Sequence, residues 1–146
     1  MYKTYIFDLD DTLWHGYWAK MLVGDIKKTD HYTISDELGH NLKLKPGVIG
    51  FLRDKSKECN IGFVSRGGLL DIKKERQPSI RVLKEFEILD YFNYCQHTIY
   101  KTEDKSIYVI PSGKTLYIDD NENDLKDVKT KHRELIDVIN VNAFDF

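Results

Sequence analysis

Three aspartates lie within four positions near the start of the chain, in the segment FDLDDTL at residues 7–13, directly after an apolar stretch. A second apolar stretch, in TLYIDDNENDL at residues 115–125, also ends in paired acids, Asp119 and Asp120. Two unit charges about 4 Å apart repel by roughly 4 kcal/mol at an effective dielectric constant of 20. If the two stretches are neighbouring strands, a hard cation with oxygen ligands such as Mg²⁺ would relieve the repulsion between their carboxylates. The spacing therefore favours a metal site.

Acids that follow strands also cap helices or face water, so the motif alone leaves a structural role open. The DDNEND run is not a calcium-binding EF-hand loop, because it lacks the glycine at the sixth position and the final glutamate. Two further segments favour a role in phosphate chemistry over a purely structural one. FVSRGG at residues 63–68 places Ser65 and Arg66 at a strand end, where they can bind phosphate oxygens. Lys101 or Lys105 could bring positive charge to a phosphoryl group.

Short apolar runs alternate with amphipathic stretches and predict five strands, at residues 2–8, 61–65, 94–98, 115–119 and 135–141. Helices are expected from Pro46, from Pro78 and over residues 121–132, and Pro78 is expected to interrupt a helix that begins near Leu70. Residues 106–110 are too short for a helix of ordinary length, and Pro111 opens a turn. Several strands are apolar on both faces, which is typical of a parallel sheet between helices. The pattern predicts a doubly wound α/β fold.

The 146 residues suit one domain, residues 1–146, and the formal net charge of −2 gives no general attraction to nucleic acid or membrane. No apolar run has the length of a membrane span, and the first residues lack the layout of a signal peptide. We therefore expect a cytoplasmic protein that is a monomer or a weak dimer, with no membrane partner and no general affinity for nucleic acid.

Four segments, taken together and in order, resemble the motifs of the haloacid dehalogenase superfamily: DLDDT, the strand-terminal Ser65, a following lysine, and the Asp119–Asp120 pair. Within that superfamily the chain is most similar to the magnesium-dependent phosphatase-1 group. This likeness rests on four segments: FDLDDTLW with Trp18, GHNLKLKPGV, Ser65–Arg66, and YFNYCQHTIY before a lysine. The resemblance implies a Rossmann-like fold with a five-stranded parallel sheet and a Mg²⁺-dependent phosphatase.

The resemblance also implies roles for individual residues. Asp8 would attack phosphorus and become an aspartyl-phosphate, and Asp10 would act as the general acid and base. Lys105 is favoured over Lys101 as the catalytic lysine. Thr12 would hold the nucleophile loop, while Ser65, Arg66 and the Leu9 amide would bind phosphate. Mg²⁺ would be held by Asp8, by Asp10 through its carbonyl and by Asp120, with Asp119 and Asp124 as secondary candidates. Asp11 receives no catalytic role.

Residues 13–45 are the only room for a cap over the site, and they suffice for a flap or a hairpin near residues 37–41. The site should then be open to phosphoproteins, including phosphotyrosine, or to phosphosugars. The aromatic residues of this insertion either line the mouth of the site or form a small core, namely Trp14, Tyr17, Trp18 and Tyr32. Alternative functions are a polynucleotide 3′-end phosphatase, a phosphotransferase, or a non-enzymatic metal-binding scaffold.

Overall fold

A five-stranded parallel sheet forms the centre of the computed structural model, which describes residues 1–146. A second sheet of four antiparallel strands is built from the insertion. The strands are β1 (Thr4–Phe7), β2 (Trp14–Gly16), β3 (Lys27–Asp30), β4 (Thr33–Ser35), β5 (Asn41–Leu44), β6 (Asn60–Ser65), β7 (Cys95–Thr98), β8 (Thr115–Asp119) and β9 (Ile136–Asn140). The helices are α1 (Val48–Lys55), α2 (Pro78–Glu85) and α3 (Glu122–His132).

The parallel sheet has the strand order β7-β6-β1-β8-β9, so β1 lies at the centre. Every residue of β1 and β8 is buried, because helices cover both faces. Alternate side chains of β1 enter two different cores, since Tyr5 and Phe7 pack with α1 and α2 while Ile6 packs with α3. The predicted α/β fold class is therefore confirmed, and all five predicted strands are present.

The three helices begin close to the predicted positions. Pro78 is the first residue of α2, and Asn121 caps α3 by accepting hydrogen bonds from the backbone amides of Asn123 (2.9 Å) and Asp124 (3.1 Å). α1 starts two residues after Pro46, behind Gly47, which has a φ of +85°. None of these helices is long and apolar enough to cross a membrane.

The helix expected near Leu70 is absent, and that prediction is wrong. Residues 69–73 are irregular and are followed only by a short 3₁₀ turn at Lys74–Arg76. The Gln77 side chain bonds to the backbone of Leu69 and Ile72, which satisfies groups that a helix would otherwise pair. Residues 106–110 form no α-helix either, and a 3₁₀ turn at Lys105–Ile107 takes that place.

The insertion contains the expected hairpin, since β4 and β5 are joined by the turn at residues 36–40. It is more ordered than the predicted flap, because β2 and β3 extend the hairpin into a four-stranded sheet. This sheet rests against α2 and the turn after it. The Arg81 guanidinium donates to the Gly24 carbonyl at 2.9 Å, and Lys28 pairs with Glu87 at 3.2 Å.

Candidate active site

The ends of the three central strands meet at one edge of the parallel sheet. In the register of β1, Phe7 lies between Phe63 of β6 and Ile118 of β8, so the residues that follow them converge. Ligands of open α/β sheets bind at this carboxyl edge. A cleft opens there, lined mainly by charged side chains and by Ser65, Gly67, Trp18 and Asn121; its charged residues are Asp8, Asp10, Asp11, Lys20, Arg66, Lys105, Asp119, Asp120 and Asp124.

Asp8 is the first residue after β1, and only 6% of its surface is exposed. Both oxygens of its carboxylate are held. Lys105 Nζ lies 2.7 Å from Oδ1, and the Thr12 hydroxyl donates to Oδ2 at 2.8 Å. Burial raises the pKa of Asp8 well above its usual value, and the positive charge of Lys105 opposes that shift. The carboxylate is thus fixed in orientation at the base of the cleft.

Lys105 is brought to the site by the 3₁₀ turn at Lys105–Ile107, whose start is capped by Asp104 accepting from the Ser106 amide at 2.9 Å. Its ammonium group lies 2.7 Å from Asp8 and 3.0 Å from Asp119, and its side chain is almost fully buried. Burial alone would lower the pKa of Lys105, but the two carboxylates outweigh it and raise the pKa. Lys101 is exposed and does not line the cleft.

Asp119 and Asp120 are adjacent in sequence but differ in surroundings. Asp119 is fully buried and accepts hydrogen bonds from Lys105, from the Tyr117 hydroxyl and from the Asn121 amide at 3.1 Å. Burial acts to raise the pKa of Asp119, but Lys105 and these hydrogen bonds lower it. Asp120 is more exposed, and its carboxylate has one long contact, 3.4 Å from the Thr12 hydroxyl. Burial raises the pKa of Asp120.

Asp10 lies at the side of the cleft that faces the insertion. Its Oδ1 accepts from the Trp14 indole at 2.7 Å and from the Ala19 amide at 2.9 Å. Burial raises the pKa of Asp10, partly offset by these two hydrogen bonds. The insertion therefore orients this carboxyl group.

The predicted phosphate-binding residues occupy different layers of the site. Ser65 and Arg66 line the cleft. Arg66 is anchored twice, by Nη1 at 2.5 Å from Asp124 and by Nε at 3.2 Å from the Glu103 carbonyl. Thr12 and Leu9 are fully buried, and the Leu9 carbonyl accepts from the Thr12 amide at 3.0 Å. These two residues shape the turn that carries Asp8.

A family model described as Acid Phosphatase matches residues 1–135. The chain belongs to this acid phosphatase family. The resemblance to the haloacid dehalogenase-type magnesium-dependent phosphatase-1 group is thereby confirmed, and the chain is a phosphatase that hydrolyses phosphoric monoesters. A search of curated proteins found no match.

Two further residues, to which the sequence motifs assign no catalytic role, also line the cleft. Asp11, which received no catalytic role, lines the cleft and accepts from the Trp18 indole at 2.9 Å, while its carbonyl accepts from Lys45 Nζ at 2.7 Å. Lys20 lines the cleft from the insertion. Lysines of this kind carry no signal in the sequence, because their position depends on how the insertion folds back over the sheet.

Ser79 does not line the cleft but lies behind its wall. Its hydroxyl is fully buried and has no hydrogen-bond partner. It lies directly behind Gly67, because a Cβ atom on Gly67 would be 3.0 Å from Ser79 Oγ and 3.4 Å from Ser65 Oγ. Gly67 is therefore required for close packing of α2 against the cleft wall.

The aromatic residues of the insertion form no separate small core, and one of them lines the cleft. Trp14 is fully buried and belongs to the main core, while Trp18 is partly exposed and lines the cleft. Tyr17 stacks on His40 with 4.0 Å between ring centroids, and Tyr32 is exposed. Only Trp18 is therefore placed to meet a substrate bound in the cleft.

Proposed function

We propose that this acid phosphatase hydrolyses phosphomonoesters with Mg²⁺ and through an aspartyl-phosphate intermediate on Asp8. The observation that carries the proposal is the setting of Asp8, which is buried at the base of the cleft with Lys105 on one oxygen and Thr12 on the other. A carboxylate that is held in one orientation is suited to attack at a single point. Covalent catalysis then divides the displacement into two easier steps.

In the first step an Asp8 oxygen forms a bond to phosphorus, and the bond from phosphorus to the ester oxygen breaks. Asp10 donates a proton to that departing oxygen. In the second step Asp10 takes a proton from water, the water oxygen bonds to phosphorus, and the bond to Asp8 breaks to release phosphate. The hydrogen bonds from Trp14 and Ala19 occupy one Asp10 oxygen, which leaves the other for proton transfer.

The phosphoryl oxygens need positive or donating groups around them. Ser65, Arg66 and Lys105 line the same cleft as Asp8, and the Leu9 amide belongs to the adjoining turn. Lys105 is a point charge already in contact with Asp8, so it can reduce the repulsion between the carboxylate and an incoming phosphate. Arg66 can contribute the N–H groups that Asp124 and Glu103 do not use.

The donor set of the site fits Mg²⁺. Asp8, Asp119 and Asp120 each offer a carboxylate oxygen, and these atoms lie within 4.8 Å of one another. Neither histidine nor cysteine lines the cleft, and oxygen ligands are what Mg²⁺ prefers. We assign the ligand role to Asp8, Asp120 and the Asp10 carbonyl, with Asp119 and Asp124 as secondary candidates, because Asp120 is more exposed than Asp119, which accepts three hydrogen bonds. When bound, the ion would neutralise charge on the phosphoryl group.

The insertion contributes Trp18 and Lys20 to the cleft and is only about 30 residues long, which supports an open site and substrates larger than a free metabolite. Phosphoproteins, including those with phosphotyrosine, and phosphosugars are the classes proposed. A monomeric or weakly dimeric protein without a membrane or nucleic-acid partner would suffice for this activity.

Hydrolysis of p-nitrophenyl phosphate tests the proposal, measured with Mg²⁺ and with EDTA. The wild type should be active only with the metal, and Asp8→Asn should be inactive because an amide cannot attack phosphorus. Asp127→Asn is the matched control, since Asp127 is exposed on α3 and away from the cleft. Rapid acid quenching followed by peptide mass analysis should find a phosphoryl group on Asp8. Undiminished activity of Asp8→Asn, or full activity in EDTA, would overturn the proposal.

A further inference from the structure

A second hollow of about 500 Å³ opens beside the catalytic cleft, and we name it the side pocket. Three of its side chains are apolar or aromatic and three are cationic, namely Leu69, Leu70, Tyr100, Lys20, Arg66 and Lys101. Arg66 and Lys20 line the cleft as well, so the two spaces share a border. A phosphomonoester bound at Asp8 would therefore have the side pocket next to it.

The first wall of the side pocket is a loop that holds leucines in an exposed position. Leu70 is 69% exposed and Leu69 is 38% exposed. The loop is fixed from below by the buried Gln77, whose amide oxygen accepts from the Leu69 amide at 2.8 Å. The amide nitrogen of Gln77 donates to the carbonyls of Leu69 (3.0 Å) and Ile72 (2.9 Å). Exposed apolar side chains on an anchored loop mark a contact surface.

The opposite wall is anchored through Glu103. Its carboxylate accepts from the Tyr100 amide at 2.7 Å and from the Tyr108 hydroxyl at 2.5 Å, and its carbonyl accepts from Arg66 Nε at 3.2 Å. One residue thus ties together Tyr100 of the side pocket and Arg66 at its border with the cleft. Because both walls are held in place, a ligand would lose little affinity to the ordering of loops.

The cleft has more acidic than cationic side chains, whereas the charged side chains of the side pocket are all cationic. The cleft is lined by six aspartates, while no acidic side chain lines the side pocket, which has three cations. Arg66 is paired with Asp124, but Lys20 and Lys101 make no ion pair. An apolar surface next to unpaired lysines complements an apolar ligand group that carries a negative charge.

We propose that the side pocket binds the leaving group of the substrate, and that this group is an apolar body bearing a second anionic group. The inference rests on the proposed phosphatase activity and adds the chemistry of the alcohol or phenol that is released. Leu69, Leu70 and Tyr100 cover the apolar body, and Lys101 pairs with its anion. The scissile phosphate remains in the cleft at Asp8.

Two aryl phosphates of nearly equal size test the anion. 4-Carboxyphenyl phosphate carries the second charge, and 4-carbamoylphenyl phosphate replaces it with a neutral amide. We divide kcat/KM for the carboxy ester by kcat/KM for the carbamoyl ester. This ratio should be about three- to fivefold lower in Lys101→Gln than in the wild type, which is the upper range for a partly exposed ion pair. Taking the change in this ratio removes the intrinsic difference in reactivity between the esters. Lys57→Gln, at an exposed lysine outside both spaces, should leave the ratio unchanged.

Ethyl phosphate tests the apolar body. Leu70→Ala should lower kcat/KM for both aryl esters by about fivefold, the effect of losing part of a leucine contact, and should leave ethyl phosphate unaffected. Leu135→Ala is the matched control, because Leu135 is also exposed but lies outside both spaces. If Lys101→Gln keeps the wild-type ratio, or Leu70→Ala affects all three esters equally, the inference is wrong.

Calorimetric binding separates this inference from the proposed activity. The Asp8→Asn protein should bind 4-carboxyphenyl phosphate more tightly than its carbamoyl analogue, and the Lys101→Gln substitution in that protein should abolish the preference. Absence of hydrolysis of every ester by the wild type would overturn the proposed function, while this binding preference would still test the side pocket. Equal binding of the two esters would overturn the inference even if the wild type is an active phosphatase.

Discussion

Lys105 is the single buried cation between two carboxylates, so its removal should be costly to stability. Its ammonium group is 2.7 Å from Asp8 and 3.0 Å from Asp119, and its side chain is 4% exposed. Each contact is worth several kcal/mol in Coulomb energy at an effective dielectric constant of 20, before the cost of desolvation. Removing one partner of a buried pair costs about 3–5 kcal/mol, because the remaining charge is left uncompensated. We expect a loss of that size for Lys105→Met at pH 7.

Equilibrium unfolding in urea and EDTA measures this loss, because urea adds no ionic screening and EDTA removes cations that could replace the lysine. The deficit should shrink as the pH falls. Lys105 helps to lower the pKa of Asp119, so the stability this provides to the wild type is present above the ordinary aspartate pKa and disappears as the pH falls through the lowered value. In the variant the unpaired carboxylates take up protons instead, which relieves their repulsion.

A double-mutant cycle separates charge from packing. Asp119→Asn alone should destabilise the protein, but in the Lys105→Met background it should restore at least about 1 kcal/mol by removing one unpaired charge. Lys57→Met, at an exposed position, should change stability by less than about 0.5 kcal/mol. A loss below about 1 kcal/mol for Lys105→Met, or strictly additive effects in the cycle, would refute the view that Lys105 neutralises both carboxylates.

Two further predictions concern the wall of the cleft and the insertion. Gly67→Ala should lower kcat, because the added Cβ would lie 3.0 Å from the buried Ser79 hydroxyl. Adding Ser79→Ala to this variant should restore much of the loss. Equal kcat values for Gly67→Ala with and without Ser79→Ala would contradict this packing argument. Asp36→Asn should lower the urea midpoint at pH 7. Burial acts to raise the pKa of Asp36, but hydrogen bonds from three backbone amides and the His40 ring prevail and lower it to about 2. The midpoint difference should therefore disappear as the pH falls from about 4 to about 2, and a difference that is constant with pH would contradict the argument.

The strand ends could be predicted from sequence because each combines two independent signals. β1 and β8 are apolar on both faces, which marks central strands, and each is followed at once by aspartate. The parallel sheet then brings Asp8 and Asp119 to one edge without any further information. The helix starts at Pro78 and Asn121 follow from local capping chemistry, which depends on neighbouring residues alone.

The family resemblance favours Lys105 over Lys101, but the residues themselves do not distinguish the two lysines. Lys101 and Lys105 both follow β7, and what separates them is a 3₁₀ turn that Asp104 caps. That turn directs Lys105 inward, whereas Lys101 remains at the surface. Which lysine points into the site depends on this single short turn, and short-range propensities do not determine where such a turn forms.

The four-stranded sheet of the insertion could not be predicted from the sequence either. Its strands have three or four residues, and β3, with the sequence KKTD, has no apolar alternation. Asp36 is what organises the hairpin, since its buried carboxylate accepts from the amides of Val23, Leu38 and His40. An aspartate in a predicted turn gives no sign that its carboxylate also binds the amide of Val23, which lies in a separate segment.

The six aspartates of the cleft differ in how their charge is balanced, and this difference accounts for their crowding. Lys105 balances Asp8 and Asp119, and Arg66 balances Asp124, with 2.5–3.0 Å between the charged atoms. Asp120 has no ion pair. Asp10 and Asp11 make no ion pair either, so the unpaired charge of the cleft lies on Asp10, Asp11 and Asp120. A phosphate dianion in the cleft would therefore meet both cations and unpaired carboxylates, and a divalent cation beside Asp120 would reduce the repulsion from that carboxylate.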